Sequence, residues 1–188
     1  MTRMQAWLFL AQLPVVGALW LPALAQQFGK TENLAPYIPS PQVVVDKMLE
    51  AARVKPGELL YDLGSGDGRI VITAAQKFSA RAVGVELSPE LCRAATARVK
   101  SLGLEERVHI IHGNLLKVDL SPADVVTLYL LTTSNDRLRP NLEKYLKPGA
   151  RVVSNDFQVR GWQASEVVKV NAGGLTHTIY VYEIGRER

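Results

Sequence analysis

The sequence predicts an α/β protein: a doubly wound, mostly parallel, seven-stranded sheet with a C-terminal antiparallel hairpin, preceded by an apolar N-terminal segment. Three observations carry that prediction. Short aliphatic runs alternate with helix-patterned stretches from residue 57 to residue 154, as strand–helix–strand crossovers require. One junction, "YDLGSGDGRIVI" at residues 61–72, reads as a strand, a glycine-rich turn and the start of a helix. Two last strand-like runs, 166–171 and 178–183, are joined through Gly173-Gly174 as an antiparallel ribbon.

From the amino end, no charged residue occurs between Arg3 and Lys30, and "AWLFLAQLPVVGALWLPALA" has no polar face. A short basic start, an apolar stretch and Ala23-Leu24-Ala25 match a cleaved secretory signal. The same stretch is long enough to span a bilayer, which takes about 20 residues. Residues 1–25 are therefore expected to be a signal peptide or membrane anchor, 26–56 a connector and lid helix, and 57–188 the catalytic domain. In the connector, Ser40-Pro41 reads as an N-cap and first helical residue, opening a helix over 41–53 that Lys55-Pro56-Gly57 ends. Strands are expected at 59–63, 82–86, 108–112, 123–131 and 150–154. Helices fit 69–78, where Ile70, Ala74 and Phe78 stack, then the stretch from Ser88-Pro89 to Gly103, then 135–146.

Composition narrows the function. The net charge of +4 is spread along the chain with no Lys/Arg run, so no nucleic-acid partner is expected. The single cysteine, Cys92, excludes an internal disulfide and is read as a helix core residue. His109 and His112 have no evident third ligand, so no metal is expected.

Ligands on such sheets bind beyond the carboxyl ends of the strands, near the switch in strand order. That rim would hold the Gly64 loop, Glu86, Asn114, the end of the fourth strand and Asp156. The loop glycines, Gly64, Gly66 and Gly68, are tighter than the dinucleotide pattern G-x-G-x-x-G, and no Lys-Ser or Lys-Thr follows as in a phosphate loop. Asp62, two places before the first glycine, would repel a pyrophosphate but welcome a cation. S-adenosylmethionine carries an ammonium and a sulfonium and no phosphate. Asp62 would attract its ammonium while the Gly64-Ser65-Gly66 backbone approaches closely. Glu86, 24 positions after Asp62, can accept from both ribose hydroxyls. NAD sites use the same device, so Glu86 supports a nucleoside without selecting one. Asn114 would meet the adenine edge.

"YDLGSGDGR", Glu86 and "LKPGARVVS" resemble the seven-strand, Rossmann-like methyltransferases that use S-adenosylmethionine. A closer likeness spans most of residues 36–162: "PYIPSP", the glycine loop, "LYLLTTSNDRLRPNLEKYLKPGARVVSNDF" and Trp162. These resemble the small membrane-associated protein-lysine methyltransferases related to mitochondrial enzymes acting on ATP synthase subunit c and the adenine nucleotide translocase. The resemblance implies a protein substrate presenting a lysine, with membrane proteins among the expected partners. It also implies that residues 36–41 fold over the cofactor, with Tyr37 as a lid residue. The Asn/Asp-Pro-Pro-Tyr signature of amide, adenine and some lysine methyltransferases is absent, "LYLLTTSN" standing in its place, so catalytic roles from those enzymes do not transfer.

Methyl transfer to lysine requires an aligned, neutral amine, and an apolar channel lowers the amine's pKa from about 10.4. Tyr129 is expected to line that channel, with Asn135 and Asp156, at loop positions on the same rim, orienting the amine. Two other readings stay open: a small-molecule methyltransferase, and a cofactor-binding protein without activity. Because S-adenosylmethionine is a cytosolic metabolite, the apolar segment is expected to stay attached and hold the domain at the cytoplasmic membrane face. The alternative is export after cleavage before Gln26.

Overall fold

Each aliphatic run finds its place in one sheet. The computed structural model describes residues 36–186; the expected signal or anchor at 1–25, and the connector as far as residue 35, lie outside them. In order, the elements are α1 (Gln42–Ala51), β1 (Leu59–Leu63), α2 (Arg69–Phe78), β2 (Arg81–Glu86), α3 (Pro89–Ser101), β3 (Val108–His112), a 3-10 turn (Leu115–Lys117), β4 (Val125–Leu128), α4 (Thr132–Tyr145), β5 (Arg151–Asn155), β6 (Glu166–Ala172) and β7 (Leu175–Glu183).

The sheet order is β3-β2-β1-β4-β5-β7-β6. Strands β1 to β5 run parallel, and β7 inserts antiparallel between β5 and β6. Both faces are covered, which is why the central strands are apolar throughout rather than alternating. Leu60, Val125, Val153, Ile179 and Val181 pack on one face against Val44, Met48, Val71 and Ala74 of α1 and α2. Leu63, Val126, Leu128 and Val152 pack on the other against Leu138 and Leu142 of α4. The strand order reverses between β1 and β4, so a crevice opens beyond their carboxyl ends.

Several boundaries differ from expectation for definable reasons. Pro41, not Ser40, is the N-cap of α1, and no side chain caps it. The Ser40 carbonyl is drawn outward to accept a hydrogen bond from Arg69 Nη1 at 2.6 Å. Ser88 does cap α3, accepting from Leu91 N at 3.3 Å. Strand β4 stops at Leu128, three residues short of the expected end. Its neighbour β1 ends at Leu63, opposite Leu128, where the glycine loop begins, so Tyr129 has no β1 residue to pair with. The freed residues let α4 begin at Thr132. Strand β7 starts at Leu175, three residues before the expected start, and thereby includes His177. Cys92 is half-buried on α3 rather than a core residue.

Candidate active site

The crevice is a cavity of about 810 Å³, and all seven residues expected to hold the cofactor line it: Tyr37, Asp62, Gly64, Ser65, Gly66, Glu86 and Asn114. The turn after β1 needs glycine because Gly64 and Gly66 take φ of +87° and +54°. A Cβ on Gly66 would also lie 2.5 Å from Cε2 of Tyr37. The Ser65 hydroxyl is tucked against Gly84, where a Cβ would come within 2.7 Å of it, and this buried oxygen has no hydrogen-bond partner.

Asp62 is 3 % exposed and accepts a hydrogen bond from Thr127 Oγ1 at 2.8 Å. Burial pushes its carboxyl up to about 7; the Thr127 bond opposes this, and the charges of Glu86 and Asp67 add to it. Such a carboxylate is poorly solvated and favours a cationic ligand. Glu86 is held by its own backbone: Gly66 N–H donates to Oε2 and Ser88 N–H to Oε1, each at 2.8 Å. Each carboxylate oxygen has a second lone pair, so a ribose diol can still be accepted. Asn114 Oδ1 accepts from Leu116 N at 2.9 Å, capping the 3-10 turn. Its contribution to a ligand is therefore the amide nitrogen. The set fits S-adenosylmethionine: an acid buried at one end, a fixed diol acceptor at the other, and a side-chain-free glycine turn between.

The residue 36–41 strap crosses this cavity and is fastened by Arg69 at the start of α2. Arg69 donates to the Ser40 carbonyl and to Asp67 through both Nε and Nη2. Asp67 is braced in turn by Arg98 at 3.1 Å.

A second cavity of about 300 Å³ is lined by Pro36, Ile38, Tyr129, Leu131 and Phe157 and shares Pro36, Ile38 and Tyr129 with the first. Tyr129 stands where the two meet. Its ring lies 6.1 Å from that of Phe157, and its hydroxyl feels the charge of nearby Asp156. Burial raises its pKa, and the Asp156 charge raises it further, so the phenol keeps its proton. Asp156 lines neither cavity. Asn135 does not sit at a loop position on the rim. It is wholly buried in α4, and its Nδ2 donates to the carbonyls of Phe157 and Gln158 at 3.0 and 3.3 Å. It shapes the loop after β5 because α4 begins earlier than expected. Among the described residues no group of three or more His, Cys, Asp or Glu is placed to hold a metal ion.

A model of the ANTKMT methyltransferase domain matches residues 62–166, from the carboxylate before the glycine loop to the start of β6. The chain belongs to that methyltransferase family. A protein-lysine N-methyltransferase of Saccharolobus islandicus is 51% identical over 154 residues, 81% of this chain and 96% of that protein. The adenine nucleotide translocase lysine N-methyltransferase of Mus musculus is 34% identical over 149 residues, covering 79% of this chain and 63% of its own length. A crystal structure described as an RNA methyltransferase from Salinibacter ruber, in complex with S-adenosyl-L-homocysteine, superposes with a TM-score of 0.74 at 45% identity, covering 80% of this chain and 96% of that one. The family assignment and the fold agree with the resemblance read from the sequence.

Three residues of the methyltransferase site were not singled out by sequence reasoning. Thr127 was visible as a lone hydroxyl inside an aliphatic strand, in register with Asp62. Arg69, directly after the glycine loop, carried no signal for the strap it fastens. His177 lay outside the expected strand. Because the guanidinium is the main fastening, Arg69→Ala is expected to speed cofactor dissociation and raise Kd by about tenfold, the loss of one or two charge-assisted hydrogen bonds. Stopped-flow displacement of bound S-adenosylmethionine measures this, and an unchanged off-rate would mean the strap does not cover the ligand.

Proposed function

We propose that this methyltransferase moves a methyl group from S-adenosylmethionine to the side-chain amine of a lysine in a protein. The observation that carries the reading is the apolar throat of Pro36, Ile38, Tyr129, Leu131 and Phe157, which opens into the cofactor cavity at Tyr129. Its wall suits the four-carbon stem of lysine, and its lack of charged side chains favours the neutral amine over the ammonium. The name of the Saccharolobus relative supports the same acceptor.

When bound, S-adenosylmethionine supplies an electrophilic methyl group on its sulfonium. The protein's own work is to hold and to align. Asp62 would hold the ammonium end and Glu86 the ribose, and the strap would keep water out. Alignment of this kind is worth roughly 7–11 kcal/mol of the barrier.

The Salinibacter protein's description makes RNA the competing acceptor. The described lining speaks against it: Arg69 is the only cation there, fully engaged, beside Asp62, Asp67 and Glu86. Such walls repel phosphates and attract amines. Incubating the protein with a membrane extract and tritiated S-adenosylmethionine separates the acceptors. Label in a discrete protein band, recovered as methyl-lysine, supports the reading; nuclease-sensitive label or label only in small molecules overturns it.

The apolar stretch before Lys30 supports retention at the cytoplasmic face of a membrane, where the methyl donor is made, and biases the acceptors toward membrane proteins. Intact mass of the native protein tests retention, and a chain beginning at Gln26 refutes it.

A further inference from the structure

A strained turn after β5 aims one side chain into the throat. Asp156 has φ +60°, a left-handed conformation that is costly for a residue with a side chain. Across it, Phe157 N donates to the Asn155 carbonyl at 2.7 Å, closing a γ-turn of the rare, positive-φ kind. Such a turn persists only where its surroundings over-determine it. Here they grip it from two sides. On β7, the Thr178 carbonyl accepts from Asp156 N at 2.7 Å, Thr178 N donates to Asp156 Oδ1 at 2.8 Å, and His177 Nδ1 lies 2.8 Å from Oδ2. On the α4 side, the Phe157 carbonyl accepts from Ser154 Oγ and, at 3.0 Å, from Asn135 Nδ2. The same amide nitrogen reaches the Gln158 carbonyl at 3.3 Å.

What this clamp fixes is the Phe157 ring. Phe157 lines the throat but not the cofactor cavity, whereas Tyr129 lines both. The two ring centroids are 6.1 Å apart with their planes inclined at 33°, so together they make an angled aromatic wall. A straight alkyl stem packs along such a wall, and ring faces attract the alkylammonium that a lysine presents on arrival and a methylated lysine presents on leaving. A bulky or branched amine has to displace a ring whose peptide is held at both its N–H and its carbonyl.

We propose that Phe157 determines which acceptor the enzyme takes, its ring holding the straight stem of an alkylamine against Tyr129, and that Asn135 is the positioning residue that keeps the ring in place. The inference rests on the lysine reading above and deepens it: selectivity resides in a side chain outside the donor cavity.

The test uses the full-length protein saturated with S-adenosylhomocysteine and n-butylamine as the probe for a lysine stem. In NMR with labelled phenylalanine, the Phe157 ring signal, assigned by its loss in Phe157→Ala, should shift as the amine is added. Followed on the amine's own signals, Phe157→Ala should raise the n-butylamine Kd by about tenfold and abolish a preference of about tenfold over cyclohexylamine. The Kd for S-adenosylmethionine should stay within about twofold, because Phe157 lies outside the donor cavity. Asn135→Ala should raise the n-butylamine Kd by about fivefold, and add less than about twofold in the Phe157→Ala background. A merely structural Asn135 would instead weaken S-adenosylmethionine binding as well and give additive losses. If Asn135→Ala does not fold, Ser154→Ala, which removes the other donor to the Phe157 carbonyl, takes its place with the same expectation. In the tritium assay on membrane extract, Phe157→Ala should slow methyl-lysine formation by about tenfold. An unshifted Phe157 signal, an unchanged amine Kd, a retained preference over cyclohexylamine or additive losses overturn the proposal. Failure of the unsubstituted protein to label any lysine overturns the acceptor reading instead, and the amine titration, which needs no turnover, distinguishes the two failures.

Discussion

Asp62→Asn is expected to weaken S-adenosylmethionine binding by on the order of a hundredfold, since it removes a buried, charge-assisted contact to a cation. The same change should leave the ligand-free protein no less stable, and more stable at alkaline pH. The reason is the carboxyl's raised pKa of about 7, against an ordinary 3.8, caused chiefly by burial. Below pH 3.8 the folded and unfolded chains both carry the proton. As pH rises toward 7 the unfolded chain gives it up first, so stability is lost across that window and is flat above it. Asparagine, being uncharged, abolishes this part of the slope. Cofactor affinity should behave oppositely, rising with pH up to about 7 because the cation prefers the ionised acid. Calorimetry in two buffers of different ionisation heat should show proton release on binding near pH 6. Absence of release, or undiminished binding by Asp62→Asn, would remove Asp62 from the ammonium site.

Glu86→Ala should cost as much affinity for a different reason, and should cost stability too. Its carboxylate accepts from Gly66 N and Ser88 N, so it shapes the glycine loop and the entry to α3 before any ligand arrives. Alanine leaves two backbone donors without partners, at roughly 1–3 kcal/mol for each one that stays buried, and removes the ribose acceptor as well. Kd is expected to rise about a hundredfold with a clear fall in Tm, the charge-assisted bonds being the stronger class. Glu86→Gln should fall between, keeping one acceptor oxygen but turning an amide toward a backbone N–H. Thermal unfolding alongside calorimetry separates the pair: Asp62→Asn loses ligand without losing stability, and Glu86→Ala loses both.

The donor half of the site was legible because its residues follow strands directly in sequence. Asp62, the glycines and Glu86 sit on turns whose chemistry is local, and α2 and β3 occupy their expected spans because glycine, proline or charged residues bound each run. The acceptor half was not, for two physical reasons. Strand β4 reads as aliphatic through Leu131, yet pairing stops when β1 turns away, so Tyr129 leaves the sheet and the α4 boundary moves, burying Asn135. The Asp156–His177 contact joins residues 21 positions apart across antiparallel strands, and the polar start of β7 gave no strand pattern to reveal it.

Strand β7 follows the other six strands in sequence, although it lies inside the sheet rather than at its border. The donor cavity is complete in sequence by Leu130, whereas Asp156 waits for Thr178 and His177 before it can be gripped. The residues that line the donor cavity are therefore all synthesised before the strand that fastens the loop after β5.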